Sequence, residues 1–134
     1  MPIVGIGSEI VECVRIGRLL DQFGIAFLNR VYTDREVQEC QARIRPVEHY
    51  AARWAAKEAV LRAIGLGPGS GLARTWIEIR QESAAKSDVR LRGPAAEHAA
   101  SRGIAKVLVS LAHCRSYATA HALAVSSAHT PPPV

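Results

Sequence analysis

No apolar run in this 134-residue chain approaches the roughly 20 residues that a membrane-spanning helix needs. Charged residues interrupt the sequence throughout, so it reads as soluble and globular, with no membrane partner expected. Cysteine is scarce: Cys13, Cys40 and Cys114 have no metal-ligand spacing, and an odd number cannot pair completely within one chain, which points to reduced thiols. Aromatic residues make up only 5% of the chain, too few for the base-stacking platforms of single-strand binders. Helix-turn-helix, zinc-finger and ribonucleoprotein motifs are all missing, so nucleic acid is not an expected partner. The start, Met1-Pro2-Ile3-Val4, carries neither a basic n-region nor a small-residue cleavage site, and a cytoplasmic protein is the expectation. His49, His98, His121 and His129 share no metal-ligand spacing with one another or with a cysteine.

What is present fits one domain, long enough for a real core and too short for two. The expected boundaries are residues 1–128 for the domain and 129–134 for a flexible, Pro-rich tail containing Pro131-Pro132-Pro133. The formal charge is +5, and fourteen of the seventeen basic residues are arginine, whose planar fork suits bidentate recognition of phosphate and carboxylate. An anionic partner and a plain solvated basic surface both fit this balance. Nucleic acid, a phosphorylated cofactor and an acidic protein surface would each satisfy the charge, which by itself does not choose among them.

Residues 3–6 form an apolar strand ending at Gly7, after which Ser8-Glu9 opens a helical pattern that runs to about Phe23 and stops at Gly24. Arg15 and Arg18, three apart, share a face of that helix. Thr33 and Glu36 have the spacing of a capping box, which predicts a short helix from Asp34 to about Ala42. Pro46 suits a first helical turn, and 47–64 is rich in Ala, Leu, Val and Trp without internal Gly or Pro, ending at Gly65. The glycine-rich stretch after it resembles a phosphate loop only superficially: it follows a helix instead of preceding one and lacks the Gly-Lys-Ser/Thr ending, so it is read as a connector. Alternation at 76–80 and 89–92 predicts a hairpin. Pro94 starts a helix to about Ser101, and 106–111 and 118–126 read as two further strands.

Chemistry concentrates in Arg53-Trp54-Ala55-Ala56-Lys57-Glu58-Ala59-Val60-Leu61-Arg62. On a helix, Arg53 and Lys57 share one edge and Glu58 and Arg62 another. Taken alone, Glu58 and Arg62 read first as an ordinary surface ion pair, and His113 is equally a histidine satisfied at a strand end. The order of three motifs decides otherwise. Gly5-Ile6-Gly7-Ser8-Glu9 followed by Glu12 and Arg15, then Arg53 through Ala59, then Ser110-Leu111-Ala112-His113, resembles the bacterial holo-acyl-carrier-protein synthases, members of the 4'-phosphopantetheinyl transferase family, over about 3–125.

The resemblance implies a small α+β fold, an antiparallel sheet packed on a long helix, in a homotrimer with sites shared between subunits. The alanine-rich helix and sheet faces would be buried between subunits. It implies transfer of 4'-phosphopantetheine from coenzyme A to a serine of apo acyl carrier protein, an acidic protein substrate, with Mg²⁺ held by Glu9 and Glu58 against the diphosphate. Two carboxylates completed by phosphate oxygens and water are the ligands this ion takes. Glu58, or water on the metal, is the candidate proton acceptor; Lys57 and Arg62 are candidates for the diphosphate, and Arg53 and His113 for the 3'-phosphate. Glu58, Lys57 and Arg62 are thus the expected catalytic set. The family's usual acid in the first motif is Asp, one methylene shorter than Glu9; its second lysine is Arg62 here; and Ala85-Lys86-Ser87 stands where the family has Gly, a basic residue and Pro. A non-catalytic homologue that binds coenzyme A or a carrier protein is the alternative.

Overall fold

The protein is described by a computed structural model covering residues 2–83 and 86–127. The expected tail at 129–134, with His129, and Ala85 of the hairpin turn lie outside the described residues. In chain order the elements are β1 (Ile3–Glu12), α1 (Cys13–Phe23), α2 (Ile25–Val31), α3 (Asp34–Gln41), α4 (Pro46–Ala63), β2 (Ile77–Ser83), β3 (Lys86–Leu91), α5 (Gly93–Ser101), β4 (Ile104–His113) and β5 (Tyr117–Ser126), with one 3-10 turn at Arg74–Trp76 before β2. An antiparallel sheet in the order β1-β5-β4 packs on α4, and β2 and β3 form a separate two-stranded hairpin. The expected α+β architecture is the observed one.

The expected hairpin connection 82–88 is mostly strand, with β2 reaching Ser83 and β3 starting at Lys86, and the first helix boundary also differs. The helix expected from Glu9 begins only at Cys13, because β5 offers pairing partners along the whole of β1: Ser8 faces His121, Glu9 faces Ala120 and Glu12 faces Tyr117. Cross-strand pairing outweighs the local resemblance of Ser8-Glu9 to a helix start. Alternation along β1 then turns Gly5, Gly7, Glu9 and Val11 toward α4 and leaves Ile6, Ser8 and Ile10 exposed on the other face. Helix α1 stops at Gly24, whose φ of 54° admits the reversal, and the short helix α2 follows, which no sequence signal indicated.

Helix α4 is the axis of the molecule and is buried nearly all round. It starts at Pro46 and closes in a Schellman arrangement, with Leu66 N donating to Leu61 O at 2.8 Å and Gly65 N to Arg62 O at 3.0 Å. Ala51, Ala55, Ala56 and Ala59 are wholly buried, as are Ala118, Ala120, Ala122 and Ala124 on the facing side of β5. Small residues on both surfaces let sheet and helix approach closely. The alanine-rich face expected between subunits is therefore consumed inside the chain. The outer sheet face stays open, with Ile6 72% and Ile10 62% exposed.

Candidate active site

Two glycines set the relation between β1 and α4. A Cβ on Gly5 would stand 1.8 Å from Ala63 O, and one on Gly7 would stand 2.0 Å from Ala59 O. The strand backbone thus lies directly on the helix backbone, running antiparallel to it. Two residues beyond Gly7, about 6.7 Å along the strand, the same seam carries the Glu9 backbone toward the level of Ala55, four residues or about 6 Å back along the helix. Glu58 stands one position before Ala59, so the strand that carries Glu9 lies on the helix that carries Glu58.

Each carboxylate is held by an arginine. Glu9 Oε2 lies 3.0 Å from Arg62 Nη2, and the same guanidinium donates through Nη1 to Ser8 O. Glu9 Oε1 also accepts from Ile10 N at 3.0 Å. Glu58 is 5% exposed, and its Oε1 accepts from Arg74 Nε at 2.7 Å. Nothing in the sequence pattern marked Arg74, which ends the glycine-rich connector with neither helical nor strand spacing to the motif residues.

Lys57 is wholly buried. Its Nζ lies 2.7 Å from Glu36 Oε1 and donates to the carbonyls of Arg74 at 3.0 Å and Ile77 at 2.5 Å. Burial lowers its pKa, and the Glu36 carboxylate acts against that shift. With three acceptors around one ammonium, Lys57 fixes the backbone on which Arg74 sits and is turned away from solvent. Glu36 is the capping-box residue read from the sequence: it accepts from Thr33 N at 2.8 Å and, through its other oxygen, from Ile79 N at 2.9 Å. Nearby Glu78 accepts from Thr33 Oγ1 at 2.6 Å. Burial pushes its pKa up, but Thr33, Arg80 and Arg92 outweigh this and hold the carboxyl below its ordinary value.

Arg53 is 2% exposed and pairs with Glu39 at 3.0 Å; among the described residues its Nε has no hydrogen-bond partner. His113 ends β4, its Nδ1 lying 3.1 Å from Glu48 Oε1 and its ring 4.7 Å from that of His49. Glu48 and Glu58 are ten residues apart on α4, about 15 Å along its axis. The structure therefore pairs Glu9 with Arg62 and Glu58 with Arg74, and sets His113 apart near the start of α4. An open groove of about 480 Å³ lies beside that start, lined by Arg18, Arg45 and Arg115 against Asp21 and Glu48.

The donor chemistry at Glu9 and Glu58 fits a hard divalent cation: two carboxylates from rigid elements, the rest of the shell left to phosphate and water. Among the described residues no group of three or more His, Cys, Asp and Glu side chains converges as a complete protein cage.

A family model described as the 4'-phosphopantetheinyl transferase superfamily matches residues 5–125. A holo-[acyl-carrier-protein] synthase of Ruminiclostridium cellulolyticum is 44% identical over 119 residues, covering 88% of this chain and 89% of the relative. One from Syntrophus aciditrophicus is 39% identical over 116 residues, covering 87% and 91%. Among solved structures, the synthase of Neisseria meningitidis superposes with a TM-score of 0.82 at 33% identity, covering 93% of this chain and all 100% of that one. The Bacillus anthracis synthase in complex with CoA (3',5'-ADP) superposes with a TM-score of 0.75 at 31% identity, covering 93% and 98%.

Proposed function

The chain belongs to the 4'-phosphopantetheinyl transferase superfamily, and from that membership we propose how its own residues carry out the transfer. As a holo-acyl-carrier-protein synthase it moves 4'-phosphopantetheine from coenzyme A to a serine of apo acyl carrier protein. The serine oxygen bonds to the phosphorus that bears the pantetheine arm, the bridging phosphorus–oxygen bond breaks, and adenosine 3',5'-bisphosphate leaves with that electron pair. Glu58, the less exposed carboxylate, receives the serine proton. Arg62, 38% exposed at its side chain, meets the diphosphate, its fork offering two donors where a lysine offers a point charge. Lys57 acts from behind as a positioning residue.

Glu9 and Glu58 are the ligands for Mg²⁺, which when bound neutralises charge on the diphosphate as the bond breaks. His113, exposed at the end of β4, is assigned to the 3'-phosphate. Arg53, buried on Glu39, reaches it only through rearrangement. The protein works as a homotrimer in the cytoplasm. Support for assembly comes from the apolar outer sheet face, and from the roughly 15 Å that separates Glu58 from the His113 region within one chain.

The observation that supports this reading is the Gly5–Gly7 seam, which lays the strand carrying Glu9 on the helix carrying Glu58. The test is to incubate the protein with coenzyme A, Mg²⁺ and an apo acyl carrier protein and weigh the carrier. It gains the mass of phosphopantetheine with the wild type and with Glu9→Asp, and gains nothing with Glu9→Gln or without a divalent cation. Coenzyme A binding without any mass gain would instead support a non-catalytic homologue, and near wild-type transfer by Glu9→Gln at limiting Mg²⁺ would remove Glu9 from the metal site.

A further inference from the structure

Arg74 grips both oxygens of Glu58, Nε lying 2.7 Å from Oε1 and Nη2 3.5 Å from Oε2. The same guanidinium also holds the glycine-rich connector: Nη1 donates to Leu72 O at 2.6 Å and Nη2 to Pro68 O at 3.4 Å. That connector is loosely packed, for a Cβ on Gly67, Gly69 or Gly71 would meet no atom within 4 Å. The main chain of Arg74 is fixed independently, its carbonyl accepting from the buried Lys57 at 3.0 Å. The side chain can therefore turn while its backbone stays in place.

A carboxylate gripped by a bidentate guanidinium is not free to ligate a cation. Arg62 leaves Glu9 Oε1 to a backbone amide alone, whereas Arg74 faces both oxygens of Glu58. We propose that Arg74 is an internal competitor for the divalent cation at Glu58, and that its displacement releases residues 67–72 from the body of the protein. Without a cation the guanidinium neutralises Glu58 and clasps the connector over it. With a cation at Glu58 the guanidinium turns outward and the clasp opens. The inference rests on the reading of Glu9 and Glu58 as metal ligands, and deepens it by naming what the metal must displace.

The test titrates Mn²⁺ into the coenzyme-free protein and follows the loss of the free-ion signal by electron paramagnetic resonance. Arg74→Met should bind Mn²⁺ about tenfold more tightly than the wild type, because a charge-assisted hydrogen bond no longer has to be broken. The gain should vanish in a Glu58→Gln background and be missing from Arg80→Met, whose guanidinium pairs with Glu78. Arg74→Lys keeps the charge and loses the fork, so it should also tighten binding, and it carries the test if Arg74→Met does not fold. Hydrogen exchange of the amides in 67–72 supplies a second readout: Mn²⁺ should speed it in the wild type, and in the Arg74 variants it should be fast with or without the ion. Equal Mn²⁺ affinity in the wild type and both Arg74 variants, with Glu58→Gln weakening all of them, overturns the competitor role and leaves the metal site standing. Mn²⁺ affinity unmoved by Glu58→Gln overturns the metal site and this inference together.

Discussion

Replacing Gly7 with alanine tests the backbone seam on which the proposed metal site depends. The added methyl would stand 2.0 Å from Ala59 O and 2.9 Å from Arg62 Cβ. A close carbon–oxygen contact needs about 3.3 Å, so strand and helix must part by about 1.3 Å. No rotamer relieves the clash, because the obstructing atom is a backbone carbonyl of the central helix. Overpacking of a core costs about 1–3 kcal/mol, and a backbone obstacle belongs at the upper end. Restriction of the unfolded chain returns at most about 1 kcal/mol, which leaves a net loss of about 2 kcal/mol. Unfolding entropy for 134 residues corresponds to about 0.28 kcal/mol per degree, so Tm should fall by about 7 °C. The effect on turnover should be larger than stability alone explains. A shift of about 1 Å between Glu9 and Glu58 is beyond what octahedral Mg²⁺ tolerates, and such misplacement can cost about 100-fold in rate. Thermal melts followed by circular dichroism, with transfer to the carrier measured well below the variant's Tm, separate the two effects. Gly67→Ala, with open space around the new methyl, is the control. A Gly7→Ala protein that melts with the wild type and transfers at the wild-type rate would refute the seam as the device that aligns the carboxylates.

Lys57→Met leaves Glu36 buried and unpaired; removing one partner of such a pair costs about 3–5 kcal/mol, so Tm should fall by at least about 10 °C, measured by the same melts. Arg15, exposed on α1 with its guanidinium 5.6 Å from the Trp54 ring centroid, should help to steer the acidic carrier: Arg15→Glu should raise the KM for the carrier and weaken the salt dependence of the rate. Arg18→Glu should act in the same direction, and an unchanged carrier KM in both would remove α1 from the docking surface. His49 has its pKa lowered from 6.5 by burial first, then by His113, Arg43 and Arg53. The unfolded chain therefore takes up its proton before the folded one, and stability falls as pH descends through 6.5 until the folded group also protonates. His49→Gln should flatten that part of the Tm-against-pH curve between about pH 7 and 5; an unaltered slope would show that His49 does not set it.

The sequence made some elements legible because their signals are local. The Thr33–Glu36 spacing gave the start of α3, and Pro46 with Gly65 bracketed α4 closely. The alternation at 76–80 and 89–92 located β2 and β3. Where tertiary contact decides, local signals misled. Ser8-Glu9 has the look of a helix start, yet β5 keeps it extended. The family resemblance assigns Lys57 to the diphosphate, but its fate is set by Glu36, twenty-one positions earlier, and no spacing connects them. The carboxylates Glu9 and Glu58 could be named from motif order. Their arginine partners could not be read: helical spacing pairs Arg62 with Glu58, whereas in the fold Arg62 holds Glu9 and Arg74 reaches Glu58 across a connector whose path only the fold determines.

Glu36 has a consequence for how the molecule comes apart. Among the described residues the hairpin shares no ladder with the three-stranded sheet, and on that topology alone it could peel away by itself. Its seat, however, is an amide of β2 bonded to the same carboxylate that closes the start of α3 and neutralises the ammonium buried under α4. Lifting the hairpin strips that carboxylate of a donor and uncovers a charge in the interior, a penalty felt at once by the helix start and by the central helix. Local opening of the hairpin is thereby converted into a cooperative event, and the small sheet borrows its persistence from the core instead of supplying its own.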